Sequence, residues 1–123
     1  MRIATLTLPD SDNTGQSLSD IHALLRLDMV ENFGGFTAIP GNGGWQNDAG
    51  KLFFEPVTVY HVAMDETEEN AQRWRMLARH AATMGAQESV FITQANGMVE
   101  FVTGYSPLDE LQESVTNEGE LTV

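Results

Sequence analysis

Between Lys51 and Met64 the chain reads KLFFEPVTVYHVAM, a run of β-branched and aromatic residues that favours a long β-strand over a helix or loop. Successive side chains of a strand point to opposite faces, so Val57, Val59 and Ala63 face one way and Phe54, Tyr60 and Val62 the other. Both sets are apolar. A sheet containing this strand must therefore bury one face against helices and find other cover for the second. Pro56 has no ladder hydrogen to donate, which predicts an edge position or a bulge at that point.

The rest of the chain supplies the helices. Residues 2–8, RIATLTL, alternate with the period of a strand, and PDSDNTGQ after them is rich in turn formers. Ser17 begins a Ser-x-x-Asp pattern suited to capping a helix start, and Leu18, Ile21, Leu25 and Met29 then recur at helical spacing. Gly34 and Gly35 end that helix, and GFTAI follows as a second strand. The second helix is expected from Asp65, with Asp65 and Glu68 as a capping pair and Ala71, Trp74, Leu77, Ala78 and Ala81 on its buried side, closed by Gly85. ESVFITQANGMVEFVTG reads as two strands joined by Asn96-Gly97, a strong hairpin signal. The resulting order, β-α-β-β-α-β with one extra strand from the last hairpin, predicts an α+β ferredoxin-like sandwich over residues 1–105. Residues 106–123 read as an acidic tail with room for one short helix.

Residues 33–62 hold six of the chain's eleven glycines. A phosphate loop would need Gly-Lys followed by Ser or Thr and a helix, but Leu52 follows Gly50-Lys51 and a strand comes next. GNGGWQ likewise lacks dinucleotide spacing and opens no helix. These glycines are therefore expected to serve positive-φ turns of a hairpin, with no cofactor implied.

Charge and composition exclude several functions. Six basic residues against eighteen acidic ones give a net charge of −12, which disfavours direct binding to nucleic acid or anionic membranes. From Ala81 to the end there are seven acids and no Lys or Arg, so much of the imbalance lies towards the C-terminus. The absence of cysteine rules out disulfides, thiol catalysis and thiolate metal sites. No apolar run reaches transmembrane length and no export signal is legible, so the cytoplasm is the expected compartment.

The motifs GFT, GGW and AGKLFFEPVTV, within residues 18–65, resemble an uncharacterised family of small bacterial proteins. The matching positions are Gly35, Phe36, Thr37, Trp45, Gly50 and Glu55, with PGNG inserted before the tryptophan. The resemblance implies a ferredoxin-like fold and adds no activity or catalytic residue.

Among single residues, Trp45 is the strongest candidate for ligand contact, since a polar glycine-rich loop gives an indole no structural reason to be there. The three histidines, His22, His61 and His80, show no metal-binding spacing. His22 and His80 are expected to be solvated on their helices. His61 is the one candidate general base, in a cleft with Trp45 and Tyr60. It shares a strand face with Glu55, but about 20 Å along the strand separates them. Three functions fit. The first is a homodimeric binding or accessory protein with an apolar small-molecule pocket between the open sheet face and the glycine-rich hairpin. The second is a small cofactor-independent enzyme of the same fold, and the third an acidic interaction protein or DNA mimic from a mobile element.

Overall fold

The computed structural model describes residues 1–105. The expected acidic tail, 106–123, lies outside them. The elements follow in the order β1 (Arg2–Pro9), α1 (Ser19–Phe33), β2 (Thr37–Gln46), β3 (Leu52–Met64), α2 (Glu68–Met84), β4 (Ser89–Thr93) and β5 (Val99–Thr103). All neighbouring strands are antiparallel in one five-stranded sheet of order β2-β3-β1-β4-β5. This is the ferredoxin-like α+β arrangement, extended at one edge by β5.

The core lies between the sheet and the two helices. Ala4, Leu6 and Leu8 of β1 and Tyr60, Val62 and Met64 of β3 alternate onto that side, where they meet Leu25 and Met29 of α1 and Trp74, Leu77 and Ala81 of α2. Each such aliphatic side chain contributes about 1.5–3 kcal/mol by leaving water. The Trp74 indole, fully buried, donates to the Thr5 carbonyl at 3.2 Å and meets Phe33 edge to face at 5.6 Å. At the far edge Arg75 grips Glu100 of β5 with two hydrogen bonds of 2.9 and 2.7 Å, tying the added strand to α2.

Several local expectations change. Gly41, Gly43 and Gly44 are strand residues of β2, not turn residues, and only Gly50 in the β2–β3 hairpin has positive φ, +85°. The reason is crowding: a Cβ on Gly43 would lie 3.1 Å from Val57 Cγ1, and one on Gly44 3.3 Å from the Phe54 ring. Helix α2 is capped by Thr67, whose hydroxyl accepts from the Asn70 amide at 3.1 Å, rather than by Asp65. Helix α1 has no side-chain cap; Ser17 Oγ instead accepts from the Ser19 amide at 3.2 Å. At the end of α2, Gly85 keeps φ −86° and Ala86 takes the positive φ of 50°. Pro56 stands where β1 stops pairing, one residue beyond the Pro9–Val57 pair, so β3 has a local edge there. His22 is buried at 7% exposure, against the expectation of a solvated helix residue.

Candidate functional site

The strand register fixes which residues occupy the face the helices leave open. Directly paired residues share a face, so the open side carries Thr5, Thr7 and Pro9 of β1 opposite His61, Val59 and Val57 of β3. Phe91 of β4 and Phe101 of β5 continue the row beyond Thr7. On the same face, at the β2 edge, Trp45 pairs with Phe53 of β3, and their rings stack 4.3 Å apart at 10°.

A cavity of about 350 Å³ opens on this face between the β2–β3 hairpin and the β4–β5 edge. Its apolar walls are Trp45, Phe91, Phe101 and Val57, and its carboxylates are Glu55 and Glu88. No Lys or Arg lines it. The glycines of β2 form part of its wall: Gly43, where a Cβ would crowd Val57 at 3.1 Å, puts no side chain into the space, and Gly44 contributes backbone. Asn13 reaches the rim from the loop after β1. That loop is held by Asp12, whose Oδ1 accepts from the Thr14 amide and hydroxyl and the Gln16 amide at 2.7–2.9 Å. These bonds, first the one from the Thr14 hydroxyl, hold the Asp12 carboxyl below its usual range.

The expected trio of ligand residues is not brought together. Trp45 lines the cavity and is 39% exposed. His61 shares its face but lies eight positions along β3 from Phe53, the residue opposite Trp45, about 26 Å by strand rise. It sits between Thr5 and Thr37 and is not among the cavity walls. Tyr60 points to the other side of the sheet and is fully buried. There its hydroxyl meets His22 Nδ1 at 2.6 Å and accepts from Arg26 Nε at 3.1 Å. His22 Nε2 lies 2.8 Å from the Pro9 carbonyl, an acceptor only, so Nε2 carries the hydrogen and Nδ1 accepts from Tyr60. Burial pushes the Tyr60 hydroxyl above its usual range, with Arg26 opposing. Glu88, just before β4, and Phe91 and Phe101 on β4 and β5 were not legible as site residues, because these segments reach the cavity only through the pairing order. Glu55 was visible as a strand-face carboxylate, without the pocket that gives it a role.

Among the described residues, no group of three or more His, Asp or Glu is placed to hold a metal ion, and no helix is long and apolar enough to cross a membrane.

The fold and site define an α+β protein of ferredoxin-like type with a small-molecule-sized cavity on the sheet face opposite its helices. Among solved structures it is similar to a phage SAM lyase in the apo state, with a TM-score of 0.65 and 15% identity over 85% of this chain and 90% of that one. It is also similar to a phage SAM lyase in complex with S-methyl-5'-thioadenosine, with a TM-score of 0.66 and 14% identity over 85% of this chain and 92% of that one. At these identities the likeness shows a shared fold. No family model matches the chain, and no curated protein matches it in sequence.

Proposed function

We propose that the chain binds S-adenosylmethionine in the open-face cavity and cleaves it as a lyase, releasing S-methyl-5'-thioadenosine. The observation that carries this reading is the cavity itself: aromatic side chains and carboxylates with no basic residue, a lining that suits an aromatic base attached to a sulfonium cation. Its volume, about 350 Å³, falls in the range of small-molecule sites. Support also comes from the phage SAM lyases that share the fold, one holding the thioadenosine product. Fold alone would not warrant the activity.

The chemistry constrains what the residues do. Cleavage breaks the bond between sulfur and the amino-acid side chain, and the bonding pair returns to sulfur, which becomes a neutral thioether. A lyase adds no water, so the four-carbon fragment closes on its own carboxylate oxygen, or loses a proton to form an alkene. In the ring-closing route an anion and a cation cancel in the transition state, so an apolar, water-poor surround favours it over the ionic ground state. Trp45, Phe91 and Phe101 supply the apolar walls, and a covering second copy would exclude the water. Glu55 and Glu88 attract the cation to the cavity and orient it. His61, outside the cavity, has no part in this reading.

The exposed sheet face also supports a homodimer, since Ile39, Val99 and Phe101 leave apolar surface that a second copy would cover while shielding the cavity from water. A cytoplasmic location fits a cysteine-free chain acting on such a substrate.

The test is incubation of the purified protein with S-adenosylmethionine and chromatographic assay for S-methyl-5'-thioadenosine. Product is expected, with no solvent oxygen on the γ-carbon of the four-carbon fragment when the reaction runs in oxygen-18 water. Glu55→Gln is expected to lower kcat/KM about tenfold or more, mainly through KM. Absence of product together with no change in Trp45 fluorescence on adding S-adenosylmethionine would overturn the reading. Label in the γ-hydroxyl of the fragment would make the protein a hydrolase.

A further inference from the structure

A second cavity, of about 540 Å³, lies on the helix side of the sheet at the start of α1. Asp10, Ser17, Ser19, Arg26 and Thr58 line it, with His22 as its inner wall. In a chain with six basic residues and eighteen acidic ones, Arg2, Arg73 and Arg75 pair with Glu66, Glu69 and Glu100. Among the described residues Arg26 makes no ion pair, and neither do Lys51 and Arg79. Arg26 is instead fixed through its Nε to the buried Tyr60 hydroxyl, with its guanidinium carbon 5.7 Å from the Phe36 ring centroid and 5.6 Å from that of Tyr60. The terminal nitrogens are left for a ligand, on a side chain whose freedom has already been lost. Asp10 is fixed as well: its Oδ1 accepts from Thr58 at 2.8 Å and lies 3.9 Å from His22 Nε2. His22, Tyr60 and Arg26 are thus joined by hydrogen bonds, and Asp10, held separately by Thr58, faces the same cavity as the Arg26 guanidinium.

We infer that this cavity is a second binding site, specific for the zwitterionic head of an α-amino acid. Arg26 takes the carboxylate as a paired donor, helped by the Ser17 and Ser19 hydroxyls. Asp10 takes the ammonium. A simple anion would be repelled by Asp10 and a simple amine by Arg26, so the pair selects for a ligand carrying both charges. This site stands independently of the open-face cavity.

The test is a titration of nitrogen-15-labelled protein with L-methionine, followed by heteronuclear NMR, with propionate and propylamine as single-charge probes. Saturable shifts are expected at Asp10, Ser17, Ser19 and the Arg26 Nε signal, with a Kd of about 1 mM or below. Asp10→Asn keeps an oxygen for Thr58 and removes the charge, and is expected to weaken binding about tenfold or more. Arg26→Gln is expected to do the same; should it melt early, Asp10→Asn decides alone. No shifts at these residues, binding of propionate as tight as that of L-methionine, or unchanged affinity in Asp10→Asn would each overturn the inference. Shifts confined to Trp45, Glu55 and Phe101 would also overturn it, while leaving the open-face reading intact.

Discussion

Glu100 is a half-buried carboxylate on the helix-facing side of β5, where strand alternation asks for an apolar residue. Its presence is explained by Arg75, which meets both carboxylate oxygens from α2. The hydrogen bonds from Arg75 hold the Glu100 carboxyl below its ordinary value of 4.5 and raise Arg75 in turn. A carboxylate depressed in the folded state contributes stability that is complete above the unfolded value and is lost as pH falls through the lower folded one. Glu100→Gln is therefore expected to destabilise the protein by roughly 1–2 kcal/mol at pH 7, the range of a charged hydrogen-bonded pair reduced for solvent access. Thermal melts should show the gap between wild type and variant closing as the pH drops below about 4.5. A gap that stays constant with pH would mean the pair contributes nothing through its charge.

At the scale of elements, the fold was legible because its long segments carry unambiguous periods. The alternation of β1 and β3, the apolar stripe of α2 and the Asn96-Gly97 turn each dictated their element, and their order leaves few antiparallel solutions. Capping residues were less legible, since Asp65 and Thr67 are both good N-cap types and only backbone geometry selects Thr67. The glycines of β2 misled for a physical reason. Glycine reads as a turn, yet here it answers to neighbours on β3 that sequence separation hides: Val57 opposes Gly41, and its side chain also crowds Gly43. A test follows from that crowding. Gly43→Val puts a β-branched side chain against Val57 and into the cavity, at a cost of about 1–3 kcal/mol from overpacking. The variant is expected to fold, with a lowered melting temperature, and to bind S-adenosylmethionine at least about tenfold more weakly in a fluorescence titration. Undiminished binding would place the ligand elsewhere.

Across the whole molecule, the decisive feature is that two helices cover one side of a five-stranded sheet whose other side exposes Ile39, Val99 and Phe101 among threonines and Glu55. The expected cleft of His61 with Tyr60 overlooked strand parity, because adjacent strand residues cannot share a face. The cavity was beyond sequence reasoning, since Trp45 and Phe101 come from opposite halves of the sheet and meet only through the order β2-β3-β1-β4-β5. The same order spreads Ile39, 44% exposed, and Val99, 55% exposed, towards the two edges of the open face. Four strand spacings across by eight residues along give a plan area of about 500 Å², which side-chain relief enlarges towards the roughly 800 Å² per partner of a specific interface. A twofold pairing through this face would bring each apolar edge against its counterpart in the second copy. Light scattering on the wild-type chain is expected to give twice the 13.5 kDa protomer mass. Ile39→Glu and Val99→Glu each bury an unpaired carboxylate in that contact and lie outside the cavity walls, so they should yield protomers that remain folded. Lyase turnover in those variants then separates two roles of the second copy. If activity falls with the mass, dimerisation completes a water-poor site; if it persists, the cavity works in each protomer alone. A wild-type chain that scatters as a single protomer would rule out the pairing altogether.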